Sequence, residues 1–110
     1  MKAIVYHGYD RDHIAPVVDR IPAGFQVWNI GKHAPAGYVL VARVSHYNVD
    51  MATLCAIALN DQEKSIIDRA CSYGANNLIN TRRKLQQYKT NKRAIMCIAA
   101  ALPVFEKYCR

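Results

Sequence analysis

The stretch Asn48-Val49-Asp50-Met51-Ala52-Thr53-Leu54-Cys55-Ala56-Ile57-Ala58-Leu59 decides how this chain is divided. Read by spacing, it is a helix. Asn48 or Asp50 supplies the cap, because a short side-chain oxygen can accept from the free amides of a first turn. Met51, Leu54, Cys55 and Ala58 then recur at three- and four-residue intervals and form one apolar face. On that reading residues 1–47 are mainly strand and residues 48–110 mainly helix, within a single domain 1–110. A chain of 110 residues can bury a core without disulfide or metal staples. Its apolar share of 52% belongs to a folded chain rather than a disordered one.

Downstream, Asn60-Asp61-Gln62-Glu63 has the spacing of a capping box, with Asn where Ser or Thr is usual. It opens a helix over Asp61 to Tyr73, with Ile66, Ile67, Ala70 and Cys71 as the buried stripe and Gly74 as the stop. A further helix is predicted from about Ala75 to Lys89. Its apolar side is thin, formed by Leu78, Ile79, Leu85 and Tyr88, and Asn80, Arg83, Lys84 and Gln87 lie on the other side. Thr90-Asn91 interrupts, and a last helix carries Ile95, Met96, Ile98, Ala99 and Leu102. Pro103 either kinks that helix or opens a final turn with Phe105 and Tyr108.

Upstream, Lys2 to His7 alternates as a strand and Gly8 ends it. Residues 9–21 begin polar, with a short helical turn predicted at Pro16 to Arg20. Pro22-Ala23-Gly24-Phe25 then recurs as Pro35-Ala36-Gly37-Tyr38. Each copy is a turn in which proline and glycine set the backbone and an aromatic opens a strand. Phe25 to Ile30 and Tyr38 to Val44 therefore form an antiparallel hairpin, joined through residues 31–37. The expected fold is α+β: a small N-terminal antiparallel sheet of about three strands, packed against a C-terminal bundle of three to four helices. Trp28, Phe25, Tyr38 and Tyr47 either roof that core or form an exposed aromatic face.

The formal charge, +7, is placed unevenly. Residues 76–110 hold eight basic residues against one acid, Glu106, whereas residues 1–75 hold seven of each. Such a basic third favours acidic partners, above all phosphates. Arg82, Arg83, Lys84, Lys89, Lys92 and Arg93 are the candidate phosphate contacts. Gln87 and Tyr88, with Asn80 and Gln86, supply hydrogen bonds or stacking. A solvated helix face carries the same composition, so an acidic protein partner fits it too. Ala70 and Gly74 resemble the spacing of a helix-turn-helix, but position 80 is Asn and the aliphatic Ile79 comes one residue early.

His7, Asp10, Asp12 and His13 form the densest group of potential metal or acid–base residues, without the spacing of a zinc or calcium loop. His33 and His46 with Cys55 or Cys71 are too irregularly spaced for a zinc site. There is no Gly-x-Ser-x-Gly, no phosphate-binding glycine loop and no Gly-x-Gly-x-x-Gly. No cofactor is implied. The apolar run Ala94 to Phe105 is too short for a membrane span, and the first eight residues lack the apolar length of a signal peptide. Cys55, Cys71, Cys97 and Cys109 contain no Cys-x-x-Cys, and a cytoplasmic chain with reduced thiols is expected. The leading expectation is a non-enzymatic protein whose basic C-terminal helices contact nucleic acid or a ribonucleoprotein. The alternatives are a protein-binding inhibitor or adaptor of phage or mobile-element type, such as one blocking a host nuclease, and a metal-dependent enzyme using His7 to His13.

Overall fold

The computed structural model describes residues 2–8, 11–28, 35–46 and 48–109. Among the described residues five strands precede three helices: β1 (Ala3–Gly8), β2 (Arg11–Pro16), β3 (Phe25–Val27), β4 (Tyr38–Ser45), β5 (Asn48–Ala58), α1 (Asp61–Cys71), α2 (Leu78–Gln87) and α3 (Lys92–Tyr108). The chain is α+β, but its strands form two sheets. β1 and β2 make an antiparallel hairpin, and β3, β4 and β5 make an antiparallel sheet in that order. None of the helices among the described residues is long and apolar enough to cross a membrane.

The segment read as a helix from Asn48 or Asp50 to Leu59 is a strand over Asn48–Ala58, and the reason lies in a bulge. β5 pairs with β4 from Tyr38↔Ala58 to Val41↔Cys55, and the ladder resumes at Arg43↔Asp50. The extra residues of β5 between those pairs exchange its two faces. Met51 and Leu54 therefore face the same core although they lie three residues apart. That interval imitates a helical face. Asp50 behaves as a capping residue would, accepting from the Ala52 amide at 3.1 Å. Thr53 closes the bulge: its hydroxyl accepts from the Arg43 amide at 2.9 Å and donates to the Asp50 carbonyl at 2.6 Å.

β4 is buried on both sides, which accounts for its unbroken run Val39, Leu40, Val41 and Ala42. Val39 and Val41 meet the helices, together with Ile57 of β5 and with Ile67, Ala70, Ile98, Ala101 and Phe105. Leu40 and Ala42 face the other way, onto Tyr6, Ala15, Leu54 and Ala56. The hairpin thus covers one face of the central sheet and the helices cover the other. Val17 bridges to Ala56 in parallel, and the Val18 amide donates to the Ala56 carbonyl at 2.9 Å, so the hairpin is also tied to β5.

Two further expectations are corrected. Residues 11–16, read as polar chain, are strand β2: its inward side is the short series His13, Ala15, too brief to show alternation on its own. No helical turn forms at Pro16 to Arg20, where Val17 and Val18 instead make the sheet contacts just described. The Pro-Ala-Gly repeat is two copies of one turn. Phe25 donates to the Pro22 carbonyl at 3.1 Å and Tyr38 to the Pro35 carbonyl at 3.2 Å, and Gly24 and Gly37 both have φ of 83°. That left-handed third position is what a type II turn requires of glycine. The second strand of that hairpin is β4, and the first is described only over Phe25–Val27. Asn29, Ile30 and residues 31–34 lie outside the described residues, as do Tyr9, Asp10 and Tyr47.

Among the helices, α1 has the capping box read from sequence. The Glu63 amide donates to Asn60 at 2.7 Å and the Asn60 amide to Glu63 at 3.3 Å. Glu63 also accepts from Lys107 at 3.0 Å and from the Tyr108 hydroxyl at 2.9 Å. The start of α1 is therefore tied to the end of α3, and the two helices run antiparallel. α3 continues through Pro103 to Tyr108, with Ala94, Ile98, Ala101, Val104 and Phe105 buried. Met96 and Ala99, placed on the apolar side by their spacing, are exposed.

Glu63 makes stability depend on pH. Burial pushes its carboxyl up, but hydrogen bonds from Lys107, Tyr108 and the Asn60 amide, with the charge of Lys107, outweigh burial, and the net direction is down from 4.5. A carboxyl held low in the folded state stabilises it fully above the ordinary value, and that contribution is lost as pH falls through the folded value. Glu63→Gln is expected to cost about 1 kcal/mol at pH 7. In urea titrations at pH 7 and pH 3.5 the gap between the two proteins should narrow at the lower pH. An equal gap at both would rule out the carboxylate charge as its source.

Candidate functional site

α2 stands on the short edge strand β3. The Val27 amide donates to the Asn76 carbonyl at 2.8 Å, and the Asn77 side chain reaches the Phe25 carbonyl at 3.4 Å. Asn77 also caps α2 by accepting from the Asn80 amide at 2.7 Å. The Asn76 amide group donates to Gln26, and that of Asn80 donates to Asn76 at 2.6 Å. Thr81, fully buried, returns its hydroxyl to the Asn77 carbonyl at 2.6 Å. Asn80, read as a partner for nucleic acid, therefore holds α2 in place.

This anchoring turns Leu78, Thr81 and Leu85 inward and leaves Ile79, Arg82, Arg83, Gln86 and Gln87 exposed, at the intervals of one helix face. Ile79, assigned to the apolar side by sequence, is 64% exposed. Lys84 lies partly covered over Gly74. A Cβ at Gly74 would come within 2.9 Å of Lys84 Cε, and the φ of +84° disfavours any side chain there. Tyr88 is half-buried and packs against the main core, edge-on to Tyr73 with ring centres 6.1 Å apart. It is a wall of the site rather than a free stacking platform. Lys89, Lys92 and Arg93 are exposed, on the connection to α3 and in its first turn.

α1 and α2 pack along α3 rather than chiefly on one another, which departs from a helix-turn-helix pair. Because both run antiparallel to α3, the last turns of α1 and α2 meet the first turn of α3 at one end of the helical layer. The basic residues Arg82, Arg83, Lys84, Lys89, Lys92 and Arg93 fall along α2 and at this end. Ion pairs among the described residues lie elsewhere, at His7–Asp12, Lys64–Asp68 and Lys107–Glu63. One residue that sequence reading left out joins this end. Arg69, in the last turn of α1, lines the same hollow as Arg93, with Ser72, Tyr73 and Cys97. Arg69 stands in the stretch whose charges cancel, and only the antiparallel packing of α1 on α3 brings it to the basic third.

The other candidate groups divide. His7 and Asp12 face each other across the hairpin at 2.9 Å, on its exposed side. His13 pairs in register with Tyr6, on the inward side. Asp10 and His33 lie outside the described residues, and no group of three metal-binding side chains forms among those described. The four thiols are free. Burial, with a smaller contribution from the charge of Asp68, pushes the Cys71 thiol up to about 12, and burial also raises Cys55 and Cys109. Thiols held protonated are poor nucleophiles. No family model, curated protein or solved structure matches this chain.

Proposed function

We propose that this chain is a non-enzymatic binding protein that contacts nucleic acid, alone or within a ribonucleoprotein, through the basic end of its helical layer. One observation carries the reading: Arg82, Arg83, Lys89, Lys92 and Arg93 are exposed together, without ion-pair partners among the described residues. Unneutralised bases attract phosphates, and binding of that kind releases counterions and weakens with salt. Arg82 and Arg83 on the outer face of α2 contact the backbone, with Lys84, Lys89, Lys92 and Arg93 continuing the path and Gln87 donating to sugar or phosphate. Tyr88 supports the surface from within.

The test is fluorescence anisotropy with short single- and double-stranded DNA and RNA at several salt concentrations. Joint replacement of Arg82, Arg83 and Lys84 by Gln is expected to weaken binding roughly 10- to 100-fold and to reduce the salt slope by about 2–3. Unchanged affinity in that variant would end the proposal.

A second reading, a protein-binding inhibitor or adaptor, is favoured by a separate observation. Val5 and Ile14 pair across the outer face of the hairpin and are 61% and 76% exposed. Large apolar side chains paired in the open suit a protein contact. That reading predicts no affinity for free nucleic acid and a protein complex broken by Val5→Lys with Ile14→Lys.

A further inference from the structure

We infer that the hollow between the end of α1 and the start of α3 is a discrete phosphate-binding site, with Arg69 and Arg93 as its two ligating side chains. The inference rests on the nucleic-acid reading for the source of the phosphate, but not for the site itself. The hollow is open, with a volume of about 370 Å³, and is lined by Arg69, Ser72, Tyr73, Arg93 and Cys97. Arg69 lies in the last turn of α1 and Tyr73 in the turn that follows that helix, while Arg93 and Cys97 stand four residues apart at the start of α3. The two rows face each other because the Glu63 contacts to Lys107 and Tyr108 hold the opposite ends of the same helices together.

Its electrostatics are lopsided. No carboxylate lines the hollow, and neither arginine has an ion pair among the described residues. The nearest acid in sequence, Asp68, pairs with Lys64 instead. Two guanidinium groups on one cavity repel each other, and an oxyanion between them removes that repulsion. A guanidinium offers two parallel N–H donors matched to two oxygens of a phosphate, so a pair of them can hold one phosphate from both sides. Arg93 also lies in the first turn of α3, which has no acidic residue there, so the helix dipole opposes its charge and favours an anion nearby. Ser72 donates its hydroxyl to the Arg69 carbonyl at 2.6 Å, which fixes the turn below the site. Cys97 and Tyr73 supply the less polar floor.

The ligand class is a phosphate group carried on a nucleic-acid strand, entering from the solvent side. The strand then runs from this hollow past Lys89 and Lys92 toward Arg82 and Arg83 on α2. The site gives the basic surface one two-sided phosphate contact, in contrast to the single point charges of the lysines around it.

Two titrations test this, both on the full chain. In the first, inorganic phosphate is added while the arginine side-chain N–H signals are followed by NMR, with sodium chloride at matched ionic strength as control. Saturable shifts at Arg69 and Arg93 are expected with phosphate and not with chloride, lost in Arg69→Gln and weakened in Arg69→Lys, which keeps the charge but not the paired donors. In the second, anisotropy compares a labelled oligonucleotide on wild type and Arg69→Gln, with an expected tenfold loss and a salt slope lower by about 1. Arg69 is exposed, so neither substitution endangers the fold. Shifts that follow ionic strength alone overturn the site. Nucleic-acid binding that is the same in wild type and Arg69→Gln overturns the anchor and leaves the α2 surface standing. Saturable phosphate binding without nucleic-acid binding upholds the site and removes the nucleic-acid reading.

Discussion

Phe105→Ala is expected to lower the unfolding free energy by about 3–5 kcal/mol. Phe105 is 1% exposed and sits in α3 beyond Pro103. It lines the centre of the main core with Ile21, Ile57, Leu59 and Ile67, where β5, α1 and the segment before β3 converge on α3. Removing the ring leaves a void that these elements cannot close, because each is held elsewhere. The Ile21 amide donates to the Tyr108 carbonyl at 2.6 Å, and α1 is tied through Glu63. Urea titration followed by the fluorescence of Trp28, the single tryptophan, measures the loss. A change below about 1 kcal/mol would mean that α3 beyond Pro103 is not packed as described.

The second large effect comes from a pair of substitutions two residues apart. Ala56→Asp is expected to cost about 3–5 kcal/mol, whereas Ala58→Asp stays within about 0.5 kcal/mol. Ala56 is fully buried in the seam between the hairpin and the central sheet, and Ala58 is exposed. An aspartate at 56 would place a charge in the apolar seam among Tyr6, Ala15, Leu40 and Leu54. A domain of ordinary stability, about 5–15 kcal/mol, would lose a large part of it. A helix over the same segment predicts the opposite, because Ala58 then lies on the apolar face with Met51, Leu54 and Cys55. If Ala58→Asp proved the more damaging of the two in thermal or urea unfolding, the strand would be wrong.

That contrast shows where local pattern loses to tertiary structure. The signals in 48–59 were real: an aspartate bonded to an amide two residues on, and apolar residues three apart. Helix caps and β-bulges use the same short-range chemistry, and only the presence of β4 as a partner separates them. The hairpin strand β2 was hidden for a related reason. Of its inward residues only Ala15 joins the apolar seam, and it does so only because Tyr6 and Leu40 belong to the same cluster. Three features were legible without a partner because their causes are local. These were the Asn60 capping box, the stop at Gly74 and the paired Pro-Ala-Gly turns.

For the candidate site, the sequence by itself determined that one third of the chain is basic, since charge is additive along a chain and needs no fold. Helical spacing also put Arg83 and Gln87 on the outer side of α2, but it put Ile79 on the inner side and Asn80 and Lys84 on the outer, whereas Ile79 is exposed, Asn80 and Lys84 are partly covered and Thr81 is the residue that turns inward. The tertiary structure decided the rest. It assigned Asn80 to the anchoring of α2 and Tyr88 to the edge of the core, and it brought Arg69 across to Arg93. The physical reason is the same in each case: a side chain's role depends on what lies opposite it, and residues 69 and 93 become neighbours only when two helices pack antiparallel.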